Sequence, residues 1–275
     1  MRYSLPPIQR AARALSGALR VVAPALLALP LLSLAQLPAA RLPAPPLPPP
    51  LPSYSFPARQ TLTYSVDWRV FPAGTTTLHL EQQGTVEKVT ATADTLGAIN
   101  LIYRVSDRYQ SSFNRATGCS YGFSKQIQEG RRRVDTDLTF NYAQGTRLLT
   151  ERNLVKNTSK QQTAAVGPCV TDLLSAIFYP ASQSLVPGTS FEVPLGDSLH
   201  TVMVSMKVEA REIVQTPTGT YHTVRVQPTA SSGVVKARGN IWIWYTDDAR
   251  HIPVQMRARL FWGTITFQLT SISEK

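Results

Sequence analysis

From Arg59 onward the chain alternates apolar and polar positions with a period of two, as a strand with one buried and one wet face does. Leu62, Tyr64, Val66, Trp68 and Val70 stand against Thr61, Thr63, Ser65, Asp67 and Arg69. Ala73-Gly74 predicts a tight turn, after which Thr76, Leu78 and Leu80 alternate with Thr77, His79 and Glu81, completing a β-hairpin. The alternation recurs from Arg132 to Phe140, at Val202, Val204, Met206 and Val208, and at Ile265, Phe267 and Leu269. Turn residues at Gly84, Gly130, Gly145, Gly188, Pro217 to Gly219, Gly233 and Gly263 space these runs as in a meander. The expected fold is all-β, a curved antiparallel meander or open β-barrel of about ten to twelve strands with one short helix packed on it.

Two segments depart from the pattern. Thr171 to Tyr179 begins with capping-type residues, keeps Leu173, Leu174, Ile177 and Phe178 at helical spacing and stops at Pro180, which predicts a short helix plugging the core or covering the open side of the sheet. Asp172 reads as a helix-start residue. Ile241-Trp242-Ile243-Trp244-Tyr245 is apolar on both faces, so something must cover the second face. One reading is the helix or a loop. The other makes Trp242, Trp244, Phe261 and Trp262 the lining of a groove for an apolar ligand.

The front of the chain is of a different kind. Residues 1 to 20 hold arginines and no acids, and Val21 to Leu37 form an uncharged apolar stretch, the order of a secretory signal peptide. Ser33 and Ala35 suit cleavage before Gln36, with Ala39 and Ala40 a second site, and no cysteine is near to carry a lipid anchor. Pro24 and Pro30 argue against an uncleaved anchor, and the long apolar core argues against a mitochondrial presequence. The prolines of Leu42 to Pro57 remove backbone donors and predict an extended polyproline spacer. The expected division is a leader over 1–35, a spacer over 36–57 and a single β-domain over 58–275, exported to the periplasm or cell envelope of a bacterium.

The formal charge of +11 falls to +7 once Arg2, Arg10, Arg13 and Arg20 leave with the leader. The remaining charge is dispersed, and its one dense run, Arg131-Arg132-Arg133, reads as a solvated strand face or hairpin end. Basic residues interleaved with exposed aromatics on a recognition element are absent from the pattern, so nucleic-acid binding is not expected. Cys119 and Cys169 lack the spacing of a zinc site. In an exported protein they most simply form a disulfide, the other reading being two buried thiols.

The four histidines fall in no catalytic spacing, and no nucleophile elbow, metalloprotease helix, phosphate loop or calcium loop occurs. Asp247-Asp248 lies in turn composition with Arg250 as ion partner. Neither a cofactor, a metal site nor catalysis is expected.

Leu62-Thr63-Tyr64 with Ala73-Gly74, Cys169 to Ala176, Thr216 to Gly219, and Ile241 through Val254 resemble, in that order along the chain, an exported bacterial family known only as domain of unknown function 3108. The most specific of these segments runs from Trp242 through Thr246, Asp247, Asp248, Arg250 and Ile252 to Pro253, a strand, a turn and a return strand. The resemblance implies an exported β-rich domain and brings no catalytic residues. The expected function is binding of an apolar or lipid-like ligand, the alternative being a structural or protein-interaction module of the envelope, not integral to the membrane after signal cleavage.

Overall fold

The computed structural model describes residues 46–237, 239–261 and 263–274. The expected leader, the first part of the expected spacer and Trp262 lie outside the described residues. Eight strands come first: β1 (Arg59–Trp68), β2 (Phe71–Gln83), β3 (Val86–Thr95), β4 (Ser106–Asn114), β5 (Ser120–Glu129), β6 (Arg132–Asn141), β7 (Thr146–Asn153) and β8 (Thr158–Ala165). Six follow: β9 (Ser190–Asp197), β10 (His200–Thr216), β11 (Gly219–Thr229), β12 (Asn240–Thr246), β13 (Pro253–Leu260) and β14 (Gly263–Glu274). Short helices α1 (Gly97–Ile102), α2 (Ser175–Phe178) and α3 (Gly233–Ala237) sit in the connections.

All fourteen strands form one antiparallel sheet, ordered β8-β7-β6-β5-β4-β3-β2-β1-β14-β13-β12-β11-β10-β9. The meander and open barrel anticipated from periodicity are present, with more strands than expected. The excess is explained by strands such as β8, Thr-Ser-Lys-Gln-Gln-Thr-Ala-Ala, which is polar on both faces and carries no alternation. The first turn also differs: β1 turns at Arg69, whose φ is +58°, and Ala73-Gly74 lies inside β2. Gly74 sits where β1 and β2 slip register, and a Cβ there would lie 2.3 Å from the Asp94 carbonyl oxygen, so glycine serves strand approach rather than turning.

Connections in such a meander alternate between two edges. The β1–β2, β3–β4, β5–β6, β7–β8, β9–β10, β11–β12 and β13–β14 connections share one, called here the tip edge, and β2–β3, β4–β5, β6–β7, β10–β11 and β12–β13 share the other, the turn edge. The end strands β8 and β9 are not paired with each other. Residues 166–189 cross between them, with Thr171 bridging Leu195 of β9 and Leu174, Phe178 and Tyr179 buried against the sheet. The helix here is shorter than the predicted Thr171 to Tyr179, because Thr171 is taken by β9 and a 3-10 turn follows over Tyr179–Ser182. It plugs the core, as its apolar spacing suggested. Arg147, fully buried on β7, adds a second strap across the gap: its guanidinium donates to the carbonyls of Ala165 (3.1 Å) and His200 (2.6 Å) and to the Thr201 hydroxyl. Five donors in one planar fork let a single side chain bind several acceptors there.

The described part of the proline-rich stretch is not a free spacer. It joins no strand, Leu47 and Phe56 are buried, Leu51 donates its N–H to the Ser182 carbonyl (2.9 Å), and the Tyr179 hydroxyl donates to the Pro48 carbonyl. Prolines deny the segment a place in the sheet, and its carbonyls are satisfied by side chains instead. Cys119 and Cys169 form a disulfide tying the β4–β5 connection to the crossing segment, 50 residues apart, which stabilises by about 4 kcal/mol on the chain-entropy account.

The second face of β12 is covered by neither the helix nor a loop. The end of the β10–β11 hairpin lies over it, placing Val214 and Tyr221 in one apolar cluster with Trp242 and Trp244 and carrying the Thr218 hydroxyl to the Leu269 carbonyl of β14 (3.3 Å).

Candidate functional site

Inside the barrel lies a cavity of about 340 Å³, walled by apolar side chains. Leu78 and Ala91 come from β2 and β3, Met206 from β10, and Ile243, Met256 and Phe267 from β12, β13 and β14. Leu174 and Ile177 of the crossing segment floor it, and Val234 and Val235 of α3 stand at its side. The register explains the choice: Ile243 faces Val226 and Met256 across the ladders, so alternate residues of β12 point inward together. At the tip edge the lining residues Ile241, Leu260 and Ile265 are only half-buried, which makes this the open side. A volume of this size falls at the small end of the range, roughly 300–1,000 Å³, in which proteins hold small ligands.

Polar groups on the wall are few. The Thr76 hydroxyl is buried there without a hydrogen-bond partner among the described residues. Tyr109 donates its hydroxyl to Asp107 (3.0 Å). Among the described residues no three His, Cys, Asp or Glu side chains gather as metal ligands would, and no helix is long and apolar enough to cross a membrane.

The tryptophans singled out from sequence lie on the other face of β12. Trp244 is buried beneath the β10–β11 hairpin, its indole N–H donating to Glu212 (2.8 Å) and the Arg257 guanidinium lying 5.4 Å from its ring centre. Trp242 packs half-buried in the same cluster, and Phe261 stands wholly in solvent at the β13–β14 tip. Among the described residues the cavity takes none of these three; it takes Ile241 and Ile243 between them.

Asp247 and Asp248 form the β12–β13 turn. Asp248 accepts from the Thr246 hydroxyl (2.7 Å) and from the Arg250 backbone (3.0 Å) and guanidinium (2.8 Å), while Asp247 pairs with Arg211 (2.7 Å). Partial burial pushes the Asp248 carboxyl up, but those hydrogen bonds outweigh it and hold it below its usual value. The turn delivers Pro253, whose carbonyl accepts from the buried Tyr64 hydroxyl (2.6 Å). In a cleft beside it the polar wall groups already have partners, Arg59 in Glu81 (2.6 Å) and Gln60 in Glu274 (2.8 Å).

Asp172 does more than start a helix. One carboxylate oxygen accepts from the hydroxyls of Ser111 (2.5 Å) and Ser120 (2.6 Å), the other from the backbone of Leu174 (2.8 Å) and Ser175 (3.0 Å), with no solvent contact. Burial pushes its pKa up, and the four donors hold it down in part. A second hidden carboxylate, Glu87, meets Arg115 through one oxygen and has no partner at the other. Burial raises it to about 7 against the pull of Arg115, which also donates to the Phe56 and Pro57 carbonyls and so clamps the proline-rich segment.

A curved antiparallel sheet wrapped round an apolar cavity defines a β-barrel-like protein. The same architecture occurs in the crystal structure of a β-barrel-like protein of domain of unknown function DUF1849 from Brucella abortus, at a TM-score of 0.56 and 8% identity over 80% of this chain and 99% of that one. A looser match, at a TM-score of 0.36 and 9% identity over 80% of this chain and 98% of the other, is to a Bacteroides fragilis protein of YmcC-like fold. No curated protein matches the sequence. The chain belongs to the family described as "Protein of unknown function (DUF3108)", whose model matches residues 63–270.

Proposed function

We propose that this barrel is exported to the bacterial envelope and holds an apolar, lipid-like molecule there, acting by binding rather than by catalysis. The cavity carries this reading: about 340 Å³ walled by aliphatic and aromatic side chains is space that close packing would otherwise fill. The unpartnered Thr76 hydroxyl supplies one polar contact for an amphipathic ligand. The leader-like order of residues 1 to 40 and the Cys119–Cys169 disulfide support export to an oxidising compartment. The interaction-module alternative has less to stand on, because the edge strand β8 carries a charge, Lys160, that discourages strand addition.

The test is binding of a fluorescent polyene fatty acid to the secreted protein and to Ala258→Phe, which places a ring in the cavity. Wild type binds, and the filled variant binds roughly tenfold more weakly at an unchanged melting temperature. If Ala258→Phe fails to fold, Ala93→Leu fills the same space. A wild-type protein indifferent to the probe, or folded fillers that bind as well as it does, would overturn the reading.

A further inference from the structure

The two edges of the sheet are finished differently. The turn edge uses ordinary polar turn residues, such as Ala116-Thr117-Gly118, Ala143-Gln144-Gly145 and Asp247-Asp248. At the tip edge the β1–β2 connection reads Arg69-Val70-Phe71, with Val70 82% exposed. The β3–β4 connection carries α1 and ends in Leu101, Ile102 and Tyr103, the first two 88% and 81% exposed, followed by Arg104. Arg131, Arg132 and Arg133 stand at β5–β6, Leu154-Val155-Lys156 at β7–β8, and the fully exposed Phe261 at β13–β14. No acidic residue occurs in any of these stretches. Arg132 meets Glu129 at the end of β5 (3.3 Å), whereas Arg104, Arg131, Arg133 and Lys156 have no ion-pair partner among the described residues.

These tips form one continuous row. The Arg69 N–H donates to the Thr264 carbonyl of β14 (2.7 Å), the Leu96 N–H to the Ala73 carbonyl of β2 (3.0 Å), the Gly130 N–H to the Arg104 carbonyl (2.7 Å) and the Leu154 N–H to the Arg133 carbonyl (3.0 Å). The row adjoins the open side of the cavity, since Leu260 lines the cavity and Phe261 follows it. Large apolar side chains in water, spaced by arginines and free of acids, match the headgroup boundary of an anionic bilayer, where aliphatic tips enter the acyl region and guanidinium groups meet phosphates. A second copy would present the same positive row and be repelled by it.

We propose that the tip edge docks on an anionic lipid surface, with the hairpin tips at Val70, Leu101, Ile102 and Phe261 inserted and the cavity mouth facing the bilayer. This rests on the ligand-binding reading and gives it a route: an apolar ligand passes between membrane and cavity without crossing water.

A fluorophore reports which edge docks. Both natural cysteines are joined in the disulfide, so Phe261→Cys or Gln144→Cys gives the full chain a single labelling site, on the tip edge or the turn edge. With an environment-sensitive nitrobenzoxadiazole label and vesicles of phosphatidylcholine mixed with phosphatidylglycerol, position 261 brightens and shifts to the blue while position 144 does not. Replacing Arg131 by Gln lowers the partition roughly fivefold, as does replacing Arg133. The docking proposal is overturned if position 261 stays dark on vesicles, if both positions respond alike, or if position 261 responds without vesicles as protein concentration rises, which would assign the row to self-association. Polyene fatty acid binding in vesicle-free buffer reads the cavity alone. A chain that takes up the probe but stays dark at 261 loses docking only, and one that docks but takes up no probe loses the ligand reading only.

Discussion

At the turn edge of this sheet the buried polar groups are tied down: Asp172 holds four donors, Glu87 meets Arg115, and a disulfide joins the β4–β5 connection to the crossing segment. Along the tips from β13–β14 through β1–β2 to β7–β8, large apolar side chains stand in water instead. The same strands supply both. The contrast teaches that stability is concentrated where the barrel is plugged, leaving the other side free to expose groups that do nothing for the fold.

The largest effect able to break this comparison is expected at Asp172. Asp172→Ala strands two seryl hydroxyls and two backbone N–H groups in a dry interior, and urea unfolding is expected to show a loss of about 3–5 kcal/mol. A loss under about 1 kcal/mol would mean the plug is held by apolar packing alone.

Glu87 gives an intermediate effect that depends on pH. Its folded pKa near 7 lies above that of an unfolded glutamate, so the native state holds the extra proton. The stability this contributes is present in full at pH 4.5 and below and is lost as pH rises through 7. Calorimetry between pH 5.5 and pH 8 should therefore show wild type melting a few degrees higher at the acidic end, with the dependence flattened in Glu87→Gln. Asp248, held below its usual value, works in the opposite sense but at lower pH, outside that window. Equal slopes in the two proteins would remove Glu87 from the account.

The smallest effect belongs to the tip edge. Leu101→Ser should leave unfolding free energy within about 0.5 kcal/mol, because the side chain is already in water. A larger loss would show that the tips serve the fold after all.

How much of this was legible in the sequence follows from what alternation encodes. It marks strands with one dry face, so β1, β2, β6, β10 and β14 could be read directly, whereas β8, polar on both sides, left no trace. In β12 every position from Ile241 to Tyr245 is apolar, so alternation does not say which face is inward; the cavity takes Ile241 and Ile243, and the tryptophans fall beneath the hairpin. Val70 continued the alternation of β1 and passed for a core residue, and only the turn at Arg69 puts it in water. The disulfide was readable from cysteine count and context. The partners of Asp172 were not, because Ser111 and Ser120 lie 61 and 52 residues away and serine carries no signal of its own.

The pairing of β1 with β14 has a consequence for the order of assembly. Every other strand pair in the sheet joins neighbours along the chain and can form as soon as both have emerged, while Gln60 must wait for Glu274. The entropic cost of closing so long a loop grows only with the logarithm of its length, but the contact is unavailable until the last strand arrives. The β1–β14 seam thus joins two meanders whose other ladders, β13–β14 excepted, can pair before the last strand arrives.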